Sequence, residues 1–217
     1  MKSENKEGQI RHLNVHPLPK NKIIFWDTSF VIDTLFSPNL ERIKKLEGGI
    51  KSLTPEENKE LDKLKFLKHR HDAAVKFTEQ LIKENFNVAF SSILFQEVYF
   101  VCKYIVLDKI YKTREKTQTE IKNNPTIIKS NIPDIMKNWN LFMELLSKFK
   151  NRIFPITPSD PLIIQETLRI RVEYLLNPND SMHLGTILVG KQKNIVVFDK
   201  KFKDAALKEG LDVWYRV

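Results

Sequence analysis

Four carboxylates occupy positions that catalysis can use. Asp27 and Asp199 each follow directly on a short apolar run, residues 23–26 and 195–198. Each is therefore expected at the carboxyl end of a buried strand, the edge where open α/β sheets bind ligands. Packing explains a carboxylate there poorly, whereas a helix N-cap explains it as well as catalysis does. Glu97 comes three residues after Leu94 and four before Val101, on the apolar stripe of its helix. A buried carboxylate needs a partner or a proton, and a salt bridge to Lys or Arg is the structural alternative to function. Asp180 opens the segment Asp180-Ser181-Met182-His183-Leu184-Gly185-Thr186. The positive end of a helix dipole favours a carboxylate at that place without any catalysis. His183, one turn further on, reads as a packing or hydrogen-bonding residue.

Four carboxylates gathered in one cleft repel one another at neutral pH unless protons or a cation compensate. Hard oxygen donors, with few histidines and no neighbouring cysteine, select Mg²⁺ or Mn²⁺ over zinc. Phosphodiester hydrolysis suits such a site, because the metal activates water and offsets charge on the pentavalent phosphate.

These residues must be carried by alternating strands and helices. The run Ile-Ile-Phe-Trp at 23–26 predicts a central parallel strand, apolar on both faces, and a helix follows over 29–36. Thr54-Pro55-Glu56-Glu57 is a capping box with Pro at the first helical position. It predicts a helix to about Asn85, with Leu61, Leu64, His71, Ala74, Thr78 and Leu81 at near-helical spacing. Residues 88–90 predict a second strand. Ser91 or Ser92 then caps a helix striped by Leu94, Val98, Val101, Cys102 and Ile105. Pro133 begins another helix, with Ile135, Trp139, Phe142, Leu145, Leu146 and Phe149. A third strand spans 152–156, and Ser159 or Asp160 with Pro161 opens a helix to about Leu176. A turn at Asn177-Pro178-Asn179 leads into a helix over 180–190. The fourth strand, 195–198, precedes a helix over 202–209 that stops at Gly210, and 211–217 supply the last strand. Strands alternating with helices predict an α/β sandwich around a mostly parallel sheet.

Composition bounds the partners. The chain has 217 residues, 41% apolar and 29% charged, which suits one elaborated domain and excludes a disordered chain. Its formal net charge of +9 points to a polyanion such as nucleic acid, with a lysine-rich surface kept for solubility as the plain alternative. Residues 103–152 hold eleven Lys and Arg against five Asp and Glu, so this stretch supplies much of the surplus. Its lysines could track an RNA backbone, and Trp139 and Phe142 are read as core residues before base-stacking ones. A single cysteine, Cys102, excludes a disulfide framework and fits a reducing, cytoplasmic setting. Residues 1–21 show no signal peptide and read as a flexible arm. The apolar stretch 86–107 is interrupted by Glu97 and Lys103, each costing about 2.5–3.5 kcal/mol in a bilayer. A buried strand and helix, and no membrane, are expected there.

Four stretches in order, IIFWDTSFVID (23–33), SSILFQEVYFV (91–101), NDSMHLGTIL (179–188) and NIVVFDKKF (194–202), resemble the PIN-domain ribonucleases, and LDV (211–213) is similar to that family's last strand. The resemblance implies a three-layer α/β/α sandwich over 22–217, with a central mostly parallel sheet and helical insertions at about 37–85 and 108–150. It implies that Asp27, Glu97, Asp180 and Asp199 bind Mg²⁺ or Mn²⁺ and are the catalytic quartet of an endoribonuclease. Metal-assisted water attack would leave a 5′-phosphate and a 3′-hydroxyl. Ser29 falls where the family often has a hydroxyl or amide, to orient a metal-bound water or to cap a helix. Val197 replaces a frequent Thr, Gly185 stands where Ala is frequent, and Asp33 and Asp204 read as surface or capping acids. RNA, an antitoxin protein and a second copy of the chain are the implied partners, the antitoxin because some members are toxins of toxin–antitoxin pairs. The small toxins of that family lack inserts like 37–85 and 108–150. The alternatives are a non-catalytic PIN-fold RNA-binding or scaffold module and a structure-specific DNA nuclease on a related fold.

Overall fold

A computed structural model describes residues 8–49 and 53–215. In chain order the elements begin with β1 (Ile10–His12), β2 (Ile23–Trp26), α1 (Thr28–Leu35), α2 (Leu40–Gly48) and α3 (Pro55–Lys83). Next come β3 (Asn87–Ser91), α4 (Ile93–Tyr111), α5 (Arg114–Asn123), α6 (Thr126–Ser130) and α7 (Ile132–Ser147). The rest are β4 (Ile153–Ile156), α8 (Pro161–Tyr174), α9 (Pro178–Val189), β5 (Asn194–Val196), α10 (Lys200–Lys208) and β6 (Asp212–Tyr215). The chain divides into two units, Met1–Phe86 with Gln192–Val217, and Asn87–Lys191. All the described strand pairings are parallel, and the fold class is α/β, as expected.

In the first unit the strands lie in the order β1-β6-β5-β2. Phe25 and Trp26 pair with Ile195 and Val196, and Ile195 and Val196 pair in turn with Val213 and Trp214. Ile24, Phe25 and Trp26 are fully buried, which explains a strand with no polar face. The sequence reading treats 1–21 as a flexible arm. Residues 1–7 lie outside the described residues, and Ile10–His12 instead pair with Val213–Tyr215 as a short edge strand. Phe30 of α1 sits at the centre of the packing. Its ring meets Trp26 at 5.7 Å, Phe77 of α3 at 6.0 Å and Phe198 at 5.8 Å.

The capping box at Thr54 is formed as the sequence predicts. The buried positions of α3 are Leu61, Ala74, Phe77, Thr78 and Leu81. Leu61 does not join the main core; with Ile43 and Leu46 of α2 it makes a satellite cluster that also takes in Leu53 and Leu64. Arg42 donates to both carboxylate oxygens of Glu60, tying α2 to α3 and holding the Glu60 carboxyl below the usual carboxylate range.

The second unit holds β3 and β4 with α4 to α9. Val88 to Ser91 pair with Ile153 to Ile156. Leu94, Val98, Cys102 and Leu107 bury one face of α4, and Ile135, Phe142, Leu145 and Leu146 do so for α7. Trp139 packs on Phe95, Tyr99 and Phe142, so it and Phe142 are packing residues. Burial pushes the Cys102 thiol up to about 11, which leaves it protonated and inert at neutral pH. Among the described residues no helix is long and apolar enough to cross a membrane, and 86–107 form a strand and a helix as expected.

Gly185 has a packing reason. A Cβ there would come 2.6 Å from Thr167 Oγ1, 3.1 Å from Thr167 N and 3.2 Å from Ile163 O. The missing side chain lets α9 pack directly against α8 at Ile163 and Thr167. Gly185→Ala should therefore destabilise the protein by about 1–3 kcal/mol through overpacking, despite the roughly 1 kcal/mol that Ala gains in helix propensity. Chemical denaturation checks this, and a stabilised variant would show that α8 gives way easily.

Candidate functional site

Each unit carries two of the four predicted acids. In the first unit Asp27 ends β2, and its backbone N–H donates to Val196 O at 3.2 Å, prolonging the pairing with β5. It is 3% exposed and is the N-cap of α1, accepting from Ser29 N at 3.0 Å. The Ser29 hydroxyl donates to the same oxygen, Asp27 Oδ2. That hydroxyl also accepts from Phe198 N at 3.0 Å. One serine thus binds the carboxylate that ends β2 and the backbone one residue before Asp199. Asp199 is exposed and caps α10, accepting from Phe202 N at 2.8 Å. Both aspartates are caps, the structural alternative the sequence leaves open; Asp27 directly follows β2, whereas Asp199 lies three residues beyond the carboxyl end of neighbouring parallel β5, which stops at Val196 and not at Phe198.

Ser29→Ala removes the donor to Asp27 and leaves the Phe198 N–H without its acceptor. The expected loss is about 1–3 kcal/mol of stability, measured by urea unfolding. A loss near zero would mean that water or a shifted backbone replaces the hydroxyl.

Asp33 is a correction. Read as a surface or capping acid, it is buried in α1 and ion-paired with Arg70 of α3, while its carbonyl lies 2.7 Å from His71 Nδ1. The Arg70 guanidinium in turn lies 5.0 Å from the Phe198 ring centroid. Asp204 is a surface acid as expected, paired with Lys203 at 3.3 Å.

In the second unit Glu97 projects from α4 and α9 receives it. Asn179 Nδ2 donates to Oε1 at 2.7 Å, and His183 Nε2 lies 2.7 Å from Oε2. The His183 side chain is 1% exposed. A histidine and an amide are thus among the partners that a carboxylate on this stripe requires. Asp180 lies in the first turn of α9, which begins at Pro178 rather than at Asp180. Asn177 is the N-cap: its Oδ1 accepts from Asp180 N at 2.9 Å and its Nδ2 donates to Asp180 Oδ2 at 2.6 Å. The sequence reading takes Asn177 and Asn179 for turn residues and misses both contacts. Asn followed by Pro is the N-cap signal that locates Asn177; nothing local marks Asn179 or the pairing of residues 86 apart in the chain.

The donor chemistry suits a hard divalent cation. Unit one offers carboxylates and a hydroxyl, and unit two offers carboxylates and amide oxygens, while His183 is engaged in holding Glu97. Among the described residues no group of three or more His, Cys, Asp and Glu side chains is placed to hold a metal ion. Within one unit, the set available is therefore a pair of carboxylates with their supporting amides and hydroxyl.

Comparison with protein-family models, with curated proteins and with solved structures finds no match for this chain.

Proposed function

We propose that this chain is a Mg²⁺- or Mn²⁺-dependent endoribonuclease of the PIN class, a three-layer α/β/α sandwich that hydrolyses RNA phosphodiester bonds. In this reading Asp27 and Asp199 of the first unit and Glu97 and Asp180 of the second are the metal-binding and catalytic carboxylates, and the protein works in the cytoplasm. The observation that carries it is that Asp27 and Asp199 lie beyond the carboxyl ends of paired parallel strands, with Ser29 tying Asp27 to the backbone N–H of Phe198, the residue before Asp199. Bound by these oxygens, the cation would supply an activated water and neutralise charge on the phosphate. The chain's own residues fix the donors beforehand. Ser29 holds one Asp27 oxygen, Asn179 and His183 fix both oxygens of Glu97, and Asn177 orients Asp180. Such second-layer hydrogen bonds set ligand orientation and basicity.

The proposed protein partners are an antitoxin, with this chain as the toxin of the pair, or a second copy. One surface supports them: Ile164, Leu168, Val172 and Leu175 form an exposed apolar row along α8 and its end, with Val172 78% exposed.

The second reading, a non-catalytic PIN-fold RNA-binding or scaffold module, is favoured by a specific observation. All four acids have structural work to do, two as helix caps and two within α4–α9 hydrogen bonding. Cleavage of single-stranded RNA with and without Mg²⁺ or Mn²⁺ separates the readings, with branched DNA as a parallel substrate. Metal-dependent RNA cleavage lost in a Glu97→Gln, Asp180→Asn double variant supports the nuclease. Full cleavage by that double variant, or none by the native chain, counts against it.

A further inference from the structure

Lys103 is a buried charge that the candidate site does not use. It lies on α4 and is 8% exposed. Among the described residues its ammonium has neither a hydrogen-bond acceptor nor a carboxylate within ion-pair distance. Two rings hold it instead, Phe100 at 4.6 Å and Tyr104 at 4.9 Å from the ring centroids. The Tyr104 ring also carries a second cation, the Arg114 guanidinium, 3.9 Å from its centroid. The nearby carboxylate, Asp108, is taken by Arg114, whose Nε donates to Oδ2 at 2.8 Å. Burial, with the neighbouring Arg114 charge, holds the Lys103 amine below its ordinary range.

An ammonium taken from water without an acceptor is unfavourable, and ring faces offset only part of that. Packing of the lysine stem accounts for its burial. It does not account for a retained charge where Met or Leu would pack as well, nor for a second cation on the same ring. The cluster sets two cations against one carboxylate, and Asp108 is committed to Arg114, so the surplus positive charge sits at Lys103. Phe100 is 41% exposed, so an aromatic face borders the cations at the surface. A phosphate flanked by a flat base has the matching chemistry, since cations position the backbone and rings stack bases without regard to sequence.

We propose that Lys103 and Arg114, with Phe100 and Tyr104, form an RNA contact in which a backbone phosphate completes the paired cations and a base stacks on Phe100. The inference rests on reading the chain as RNA-directed, and it names the residues of the basic stretch 103–152 that hold the strand.

The test is fluorescence anisotropy of the full chain with a labelled single-stranded oligoribonucleotide in EDTA, at several salt concentrations. Lys103→Met and Arg114→Gln should each weaken binding about tenfold and lower the salt slope by about one. Lys103→Arg should keep most of the affinity. Arg114 has a side chain 52% exposed, so its variant folds even if the Lys103 variant does not. Removing metal keeps the measurement apart from cleavage. Native binding that both variants retain overturns this contact and leaves the nuclease proposal standing, whereas no RNA binding by the native chain overturns both. A Lys103→Met protein that is more stable and binds RNA as the native chain does marks Lys103 as packing only. Protection of Lys103 by inorganic phosphate, with RNA affinity unmoved by either variant, assigns the cluster to a small phosphate ligand and equally overturns the RNA contact.

Discussion

Asp27→Asn should reduce metal-dependent RNA cleavage by roughly a hundredfold or more, the scale seen when one preorganised electrostatic group is removed from an active site. The substitution separates charge from capping. Asn is as good an N-cap as Asp, so its side-chain oxygen can still accept from Ser29 N and the Ser29 hydroxyl, two bonds that help hold Asp27. The start of α1 and the link to Phe198 through Ser29 are therefore retained. What disappears is the negative charge that a hard cation needs. Initial cleavage rates alongside urea unfolding check both halves, the second expected to change by about 0.5 kcal/mol or less. A variant that cleaves normally, or one that loses several kcal/mol, would show that Asp27 serves the fold alone.

The largest expected effect on stability comes from Phe30→Ala. Phe30 is fully buried and touches three aromatic rings, one each from β2, α3 and the segment that follows β5. Removing it deletes a large apolar surface and leaves a cavity lined by rings that cannot all collapse inward. The expected cost is about 3–5 kcal/mol, which lowers the melting temperature by on the order of 10 °C in a protein of this size. The effect reaches function through position. Phe30 seats α1, and the first turn of α1 holds Asp27 through Ser29. Thermal and urea unfolding measure it, and a loss below about 1 kcal/mol would mean that α1 is seated by other contacts.

Much of this architecture is written locally. The capping box at Thr54, the apolar run ending at Asp27, the helices led by Pro55, Pro133 and Pro161 and the stop at Gly210, with its left-handed φ of 80°, all stand where short-range patterns place them. Features set by distant partners are not legible in this way. Strand β1 has three residues and exists because β6 offers it an edge. Helix α2 is short and charged, with only Ile43 and Leu46 buried, so its pattern is too weak to read. Asp33 looks like a surface acid until Arg70 arrives from α3. Lys103 reads as part of a basic surface until Phe100, Tyr104 and Arg114 enclose it. The candidate site divides the same way. Its four carboxylates are visible in the sequence, while Asn177, Asn179 and the pairing of His183 with Glu97 depend on α9 beginning at Pro178 and on α4 meeting it.

The most direct test of the central proposal is a melting curve of the full chain during titration with Mn²⁺. Anything that binds only the folded state raises its stability with ligand concentration. The native chain should therefore melt at progressively higher temperature until the shift saturates, and Asp27→Asn and Asp180→Asn should each abolish the shift while melting near the native temperature without metal. A native chain indifferent to Mn²⁺, or a full shift surviving in both variants, would contradict the account.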